Sequence, residues 1–128
     1  MSKPTSVLDS SAILAVLNAE NGATNVEPLL SRSIVSSVNV AEVLTKLVER
    51  NISLKNALEN FLKLGLKIVE FDVNQAAKVA ELRPVTKHLG LSLGDRSCLS
   101  LAISENITAV TADKIWSSLN LCKVKVIR

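Results

Sequence analysis

Thr5-Ser6-Val7-Leu8-Asp9-Ser10-Ser11-Ala12-Ile13-Leu14-Ala15-Val16-Leu17 changes period at an acid. Thr5 to Leu8 reads as a short buried strand. From Ser10 to Glu20 the apolar side chains Ala12, Ile13, Val16 and Leu17 fall at helical spacing, and Asn21-Gly22 supplies a stop. A strand running straight into a helix is the start of a β-α unit. Repetition of such units builds a parallel sheet covered by helices.

The rest of the chain repeats that alternation. A short helix is expected over Thr24 to Leu30 and a second strand over Ser33 to Ser36. Asn39 caps a helix to about Arg50, with Val40, Val43, Leu44, Leu47 and Val48 on its apolar side. Ser53 to Leu64 is a helix closed by Gly65, and Leu66 to Phe71 a third strand. A helix starting at Asp72 or Asn74 meets Pro84, which interrupts or ends it. Ser92 to Glu105 is helical, Ala109 to Thr111 a fourth strand, and Asp113 to Leu119 a short helix. Val124 to Ile127, among Lys123, Lys125 and Arg128, is an edge-like last strand. The expected fold is α/β, one domain over 1–128, with a mainly parallel sheet of about five strands flanked by helices.

Composition narrows the function. With 48% apolar residues in 128, the chain can fill a core and is not a disordered polymer. No apolar run approaches a membrane span or a signal-peptide core, so a cytoplasmic protein without membrane association is expected. Two cysteines, Cys98 and Cys122, are too few for a disulfide scaffold, and Cys98 lies in an apolar helical pattern that predicts a buried thiol. His88 is the only histidine, which leaves little for a His/Cys zinc site or a serine triad. A net charge of +3 suits a polyanionic partner only weakly. Aromatic residues make up 2%, so bound nucleic acid would be met at its backbone or through a metal rather than on a stacking platform.

Four acids stand just past strands or in first helical turns: Asp9, Glu42, Asp95 and Asp113. In an open parallel sheet those places gather along the carboxyl edge of the strands, where ligands bind. Each acid also has a local explanation. Asn39-Val40-Ala41-Glu42 and Ser92-Leu93-Gly94-Asp95 have capping-box spacing, and Asp9 and Asp113 can be helix caps. Capping, however, does not require all four on one edge. If they converge, their repulsion calls for a cation, and an all-oxygen donor set suits Mg²⁺ or Mn²⁺. Such a site fits phosphodiester hydrolysis, with one metal or two left open.

These motifs resemble those of PIN domains. Val7-Leu8-Asp9-Ser10-Ser11-Ala12-Ile13-Leu14 is similar to the first motif and Asn39-Val40-Ala41-Glu42-Val43 to the second. Leu91-Ser92-Leu93-Gly94-Asp95-Arg96-Ser97-Cys98-Leu99-Ser100-Leu101-Ala102 closely resembles the third, and Thr111-Ala112-Asp113-Lys114-Ile115-Trp116 the fourth. Within the family the likeness is to VapC-type toxins, single-domain ribonucleases paired with a VapB antitoxin. The resemblance implies an endoribonuclease that uses Mg²⁺ or Mn²⁺ to cut RNA. Asp9 and Asp95 match the principal metal ligands, and Glu42 and Asp113 complete the site directly or through water. Ser11 and Thr111 match hydroxyl positions that orient the first and fourth acids. It also implies a VapB-type partner and a homodimer, to which the apolar helices around Leu14, Leu17, Leu44 and Leu47 add support. Lys114 stands where close relatives often have Arg.

Arg96, beside Asp95, has two readings: a contact to RNA phosphate or antitoxin, or a solvated or locally paired side chain. Trp116 is expected in the core or an interface, with base stacking as the lesser reading. Lys63, Lys67, Lys78, Arg83 and Lys87 are scattered and expected in solvent. Among other classes, an Asp-nucleophile phosphatase wants a second Asp where Ser11 stands. A receiver-like signalling module wants adjacent acids near the first strand, and a non-catalytic interaction subunit on the same fold, the remaining alternative, is disfavoured by the presence of all four acids.

Overall fold

The computed structural model describes residues 3–128. Strands β1 (Ser6–Leu8), β2 (Ser33–Ser36), β3 (Lys67–Val69), β4 (Thr108–Thr111) and β5 (Val124–Val126) form one sheet in the order β3-β2-β1-β4-β5. Every neighbouring pair is parallel, with Val7 opposite both Ile34 and Ala109, and Leu8 opposite Val110. Around it lie α1 (Ser10–Leu17), α2 (Ala23–Val26), α3 (Ser37–Glu49), α4 (Leu54–Leu62), α5 (Val73–Glu81), α6 (Arg83–Thr86) and α7 (Leu93–Glu105), with 3-10 turns at Glu27–Arg32, Lys87–Leu89 and Lys114–Ser118. The α/β expectation therefore holds, with all five strands parallel.

Strand alternation divides the core in two. Leu8, Val35 and Val110 point to one side, packing with Ala12, Ile13, Val43, Leu47, Ala57 and Phe61. Val7, Ile34 and Ala109 point to the other, packing with Leu91, Cys98, Leu99, Ala102 and Trp116. Consecutive strand residues thus serve opposite layers, as a sheet covered on both faces requires. Trp116 is fully buried, which settles it as a core residue. Lys63, Lys67, Lys78, Arg83, Lys87 and His88 are exposed.

Several boundaries differ from the sequence expectation. Helix α1 stops at Leu17 rather than Glu20, because Ala19 turns left-handed at φ 51°. The Ala19 N–H then donates to Val16 O and the Glu20 N–H to Ala15 O, which closes the last carbonyls. The helix expected over Thr24 to Leu30 splits into α2 and a 3-10 turn at Pro28. Asn39 is not a helix cap. The Ser36 hydroxyl accepts from Val38 N at 3.2 Å and starts α3 earlier, so Asn39 and Glu42 lie inside the helix and Glu42 is beyond its first turn.

The apolar support for self-association also moves. Leu47 is buried, and Leu14, Leu17 and Leu44 pack against the core. The uncovered stripe is on α4, where Leu54, Leu58 and Leu62 are 60%, 41% and 57% exposed at intervals of four.

The C-terminal strand is fastened to the α1–α2 turn. Gly22 has φ 93°, and a Cβ there would come 2.7 Å from Ile127 O, which also accepts from Asn25 Nδ2 at 3.0 Å. Gly22→Ala is expected to cost about 1–3 kcal/mol of unfolding free energy in urea titration, from the strained φ and the displaced Ile127 carbonyl. A loss below about 0.5 kcal/mol contradicts this reading of the turn.

Candidate active site

Strand order reverses between β1 and β4. From β1 the chain crosses to β2 and β3 on one side, then returns to place β4 on the other. At such a switch point the connections diverge and leave a crevice at the carboxyl ends of the strands. Asp9 follows β1 and Asp113 follows β4, so both fall at that crevice.

Asp9 is 3% exposed. Its Oδ1 accepts from Ala12 N at 2.8 Å, capping α1, and from Ser11 Oγ at 2.7 Å. Its Oδ2 accepts from Thr111 Oγ1 at 2.5 Å. The two hydroxyls are themselves oriented by backbone. Ala112 N donates to Ser11 Oγ at 2.9 Å, and Asp113 N donates to Thr111 Oγ1 at 3.0 Å. Each hydroxyl has one proton and gives it to Asp9, so both serve the first acid and tie β4 and its following turn to it. Burial nevertheless raises the Asp9 carboxyl from 3.8 to about 6, against the lowering by these hydrogen bonds, and the Asp95 charge raises it further.

Asp95 closes a capping box at the start of α7. Its Oδ2 accepts from Ser92 N at 2.9 Å, and Ser92 Oγ accepts from Asp95 N at 3.1 Å. Asp113 caps the last 3-10 turn, Oδ1 accepting from Ile115 N at 3.0 Å. Glu42 Oε1 accepts from Asn39 Nδ2 at 2.8 Å, and the Glu42 carboxylate lies over Gly94, where a Cβ would overlap it. The capping assignments from sequence are therefore real for Asp9, Asp95 and Asp113, and fail for Glu42.

The acids do not close into a cage. Asp9, Asp95 and Glu42 all contribute to raising the pKa of the buried Cys98 thiol, after burial itself. Asp113 is joined to Asp9 only through Thr111. Among the described residues, no three Asp, Glu, His or Cys side chains form a ready-made metal cluster. Local bonds hold the acids apart, yet Glu42 Oε2, Asp95 Oδ1 and Asp113 Oδ2 accept no hydrogen bond among the described residues. Unspent carboxylate oxygens are hard donors of the kind that suits a hard divalent cation.

Arg96 does not face this crevice as a free cation. It is half-buried, and its Nη1 donates to Val79 O at 3.2 Å, bracing α7 against α5. Local pairing, the second of its two readings, is what the structure contains. Two residues went unrecognised in the sequence: Asn39, taken for a cap, and Gly94. A glycine in the first turn of a helix weakens it by about 1 kcal/mol relative to Ala and so signals a close approach. Beside the acids a cleft of about 630 Å³ runs between α1 and α3, lined by Ser11, Leu14, Val38, Glu42, Leu93 and Gly94 among others.

Residues 6–120 match the PIN domain family, and the chain belongs to it. PIN-domain toxins of the VapC type are generally nucleases, and PIN domains typically use divalent metal ions. The fold is similar to a chain in the VapBC complex of Rickettsia felis bound to a promoter DNA fragment, at 22% identity and TM-score 0.72, covering 97% of this chain and 99% of that one. It is similar to one in a toxin–antitoxin complex from Klebsiella pneumoniae, at 16% identity and TM-score 0.77, covering 97% and 98%. A DNA-bound VapBC complex from Salmonella typhimurium gives 17% identity and TM-score 0.74, covering 98% and 99%. No curated protein matches in sequence.

The raised Asp9 pKa sets a pH dependence. Between about pH 4 and 6 folded Asp9 keeps a proton that the unfolded chain has released. Its contribution to stability is therefore full below the unfolded value and is lost as pH rises through about 6, by an amount on the order of 3 kcal/mol. In EDTA, Asp9→Asn is expected to gain stability relative to wild type as pH rises from 4 to 7. A difference that stays flat across that range, measured by urea unfolding, contradicts the assignment.

Proposed function

We propose that this chain is a divalent-metal-dependent endoribonuclease, the toxin of a VapBC-type toxin–antitoxin pair. The observation that carries the reading is the buried Asp9, held by Ser11 and Thr111 at the β1/β4 switch point and acted on by the Asp95 charge. PIN-family membership and a fold shared with chains of toxin–antitoxin complexes support it.

In this reading Asp9, Glu42, Asp95 and Asp113 hold Mg²⁺ or Mn²⁺ and are the catalytic acids. When bound, the ion supplies an activated water and a positive charge against the scissile phosphate. Ser11 and Thr111 fix the Asp9 carboxylate so that it does not rotate. Trp116 and Phe61 are buried and only Phe71 is partly exposed, which makes no stacking platform, so RNA is taken mainly by its backbone. The VapB-type partner takes the apolar cleft beside the acids, where Leu14, Val38 and Leu93 suit an apolar segment and the acids a basic side chain. A homodimer is proposed through α4 rather than through the first helices.

The decisive variant is Asp95→Asn. The amide oxygen of Asn can still accept from Ser92 N, so the capping role survives and stability should stay within about 1 kcal/mol of wild type. RNA cleavage should disappear, as it should for wild type in EDTA, with recovery on adding Mn²⁺. An Asp95→Asn protein that cuts at the wild-type rate, or wild type that cuts fully in chelator, contradicts the proposal.

For self-association, Leu58→Lys places a charge in the middle of the α4 stripe. Light scattering at micromolar concentration is expected to show a dimer for wild type and a monomer for Leu58→Lys. A wild-type monomer, or an unaffected variant dimer, rules out α4 as the interface.

A further inference from the structure

Asn39 is 1% exposed in the first turn of α3. Both of its N–H groups are spent on the site. Nδ2 donates to Glu42 Oε1 at 2.8 Å, three residues along the same helix, and to Gly94 O at 3.1 Å, on α7. Its Oδ1 is buried without a partner, an arrangement that costs stability and that packing alone does not explain. Two acceptors on Nδ2 also fix the amide orientation, since the flipped amide would set its oxygen against a carboxylate and a carbonyl. Gly94 completes the arrangement, because the Glu42 carboxylate occupies the volume a Cβ would fill. Donor and spacer come from different helices and act on one carboxylate, which lies over the residue that precedes Asp95 in the chain.

We propose that Asn39 is a positioning residue that, with Gly94 as spacer, sets the Glu42 carboxylate against the first turn of α7 as part of the cation site. This rests on the nuclease reading above. Asn39 touches neither substrate nor ion and acts through Glu42. Asn39→Ala frees the carboxylate to swing into the open cleft, whereas Gly94→Ala pushes it out with every hydrogen-bond donor intact.

The test is a double-mutant cycle read by Mn²⁺ titration calorimetry on wild type, Asn39→Ala, Glu42→Gln and the double variant, with circular dichroism to check folding. Asn39→Ala is expected to weaken Mn²⁺ binding about 10–100-fold when Glu42 is present. In the Glu42→Gln background it is expected to have about threefold effect or less, since the group it acts through has lost its charge. Equal losses in both backgrounds indicate a general structural role and overturn the proposal, as does no loss in the first. Gly94→Ala is expected to weaken Mn²⁺ binding over the same range, and unchanged affinity there overturns the proposal even where Asn39→Ala fails to fold. Wild type that takes up no Mn²⁺ and cuts no total cellular RNA overturns the nuclease reading and this role together. Wild type that does both, with an unaltered Asn39→Ala, overturns the role of Asn39 alone.

Discussion

The buried carboxylate of Asp9 joins three elements that the chain brings together from far apart. It caps α1, ends β1, and receives the hydroxyl of Thr111 at the end of β4, 102 residues away. Burying an acid raises the energy of its charged form, and here the burial wins over three donors. The fold around it is therefore constrained twice. The donors must come from the correct strand ends, which fixes the β1–β4 pairing at the switch point. The remaining acids must lie where their charges are tolerable: Asp95 and Asp113 are at helix starts, and Glu42 accepts from the Asn39 amide.

Much of this was legible in the sequence because strands and helices announce themselves differently. Ser33 to Ser36 is a strand with the expected limits, and Ser92 caps α7 as its spacing with Asp95 implies. Asn39 and Glu42 show where such reading fails. A separation of three residues suits a capping box and also suits two side chains touching on one helix face. Only the position of Ser36 as the true cap decides between them, and Ser36 was read as the last residue of a strand.

Arg96 illustrates a second limit. Adjacent helical residues point about 100° apart, so standing next to Asp95 in sequence directs Arg96 elsewhere, onto Val79 of α5. Gly94 was legible in principle, as an unfavourable residue inside a helix, but the carboxylate that requires it comes from 52 residues earlier. The exposed leucines of α4 carried the same ambiguity: a pattern of four-residue spacing marks an apolar face without stating which apolar faces the fold covers.

The capping bonds of Asp95 and Asp113, together with the Asn39 contact of Glu42, have a consequence for how the protein comes into being. Three of the four acids are already engaged with backbone or amide donors, and the fourth, Asp9, is held by hydroxyls, so negative charge is absorbed locally when no ion is bound. In metal-built domains the ion is the folding energy, and the apo chain has no structure. Here each of the four acids is tied to donors of the chain itself, so the bonds that order the crevice are the chain's own. On the proposed reading, removing the ion would silence the chemistry and leave the hydrogen bonds that order the crevice in place.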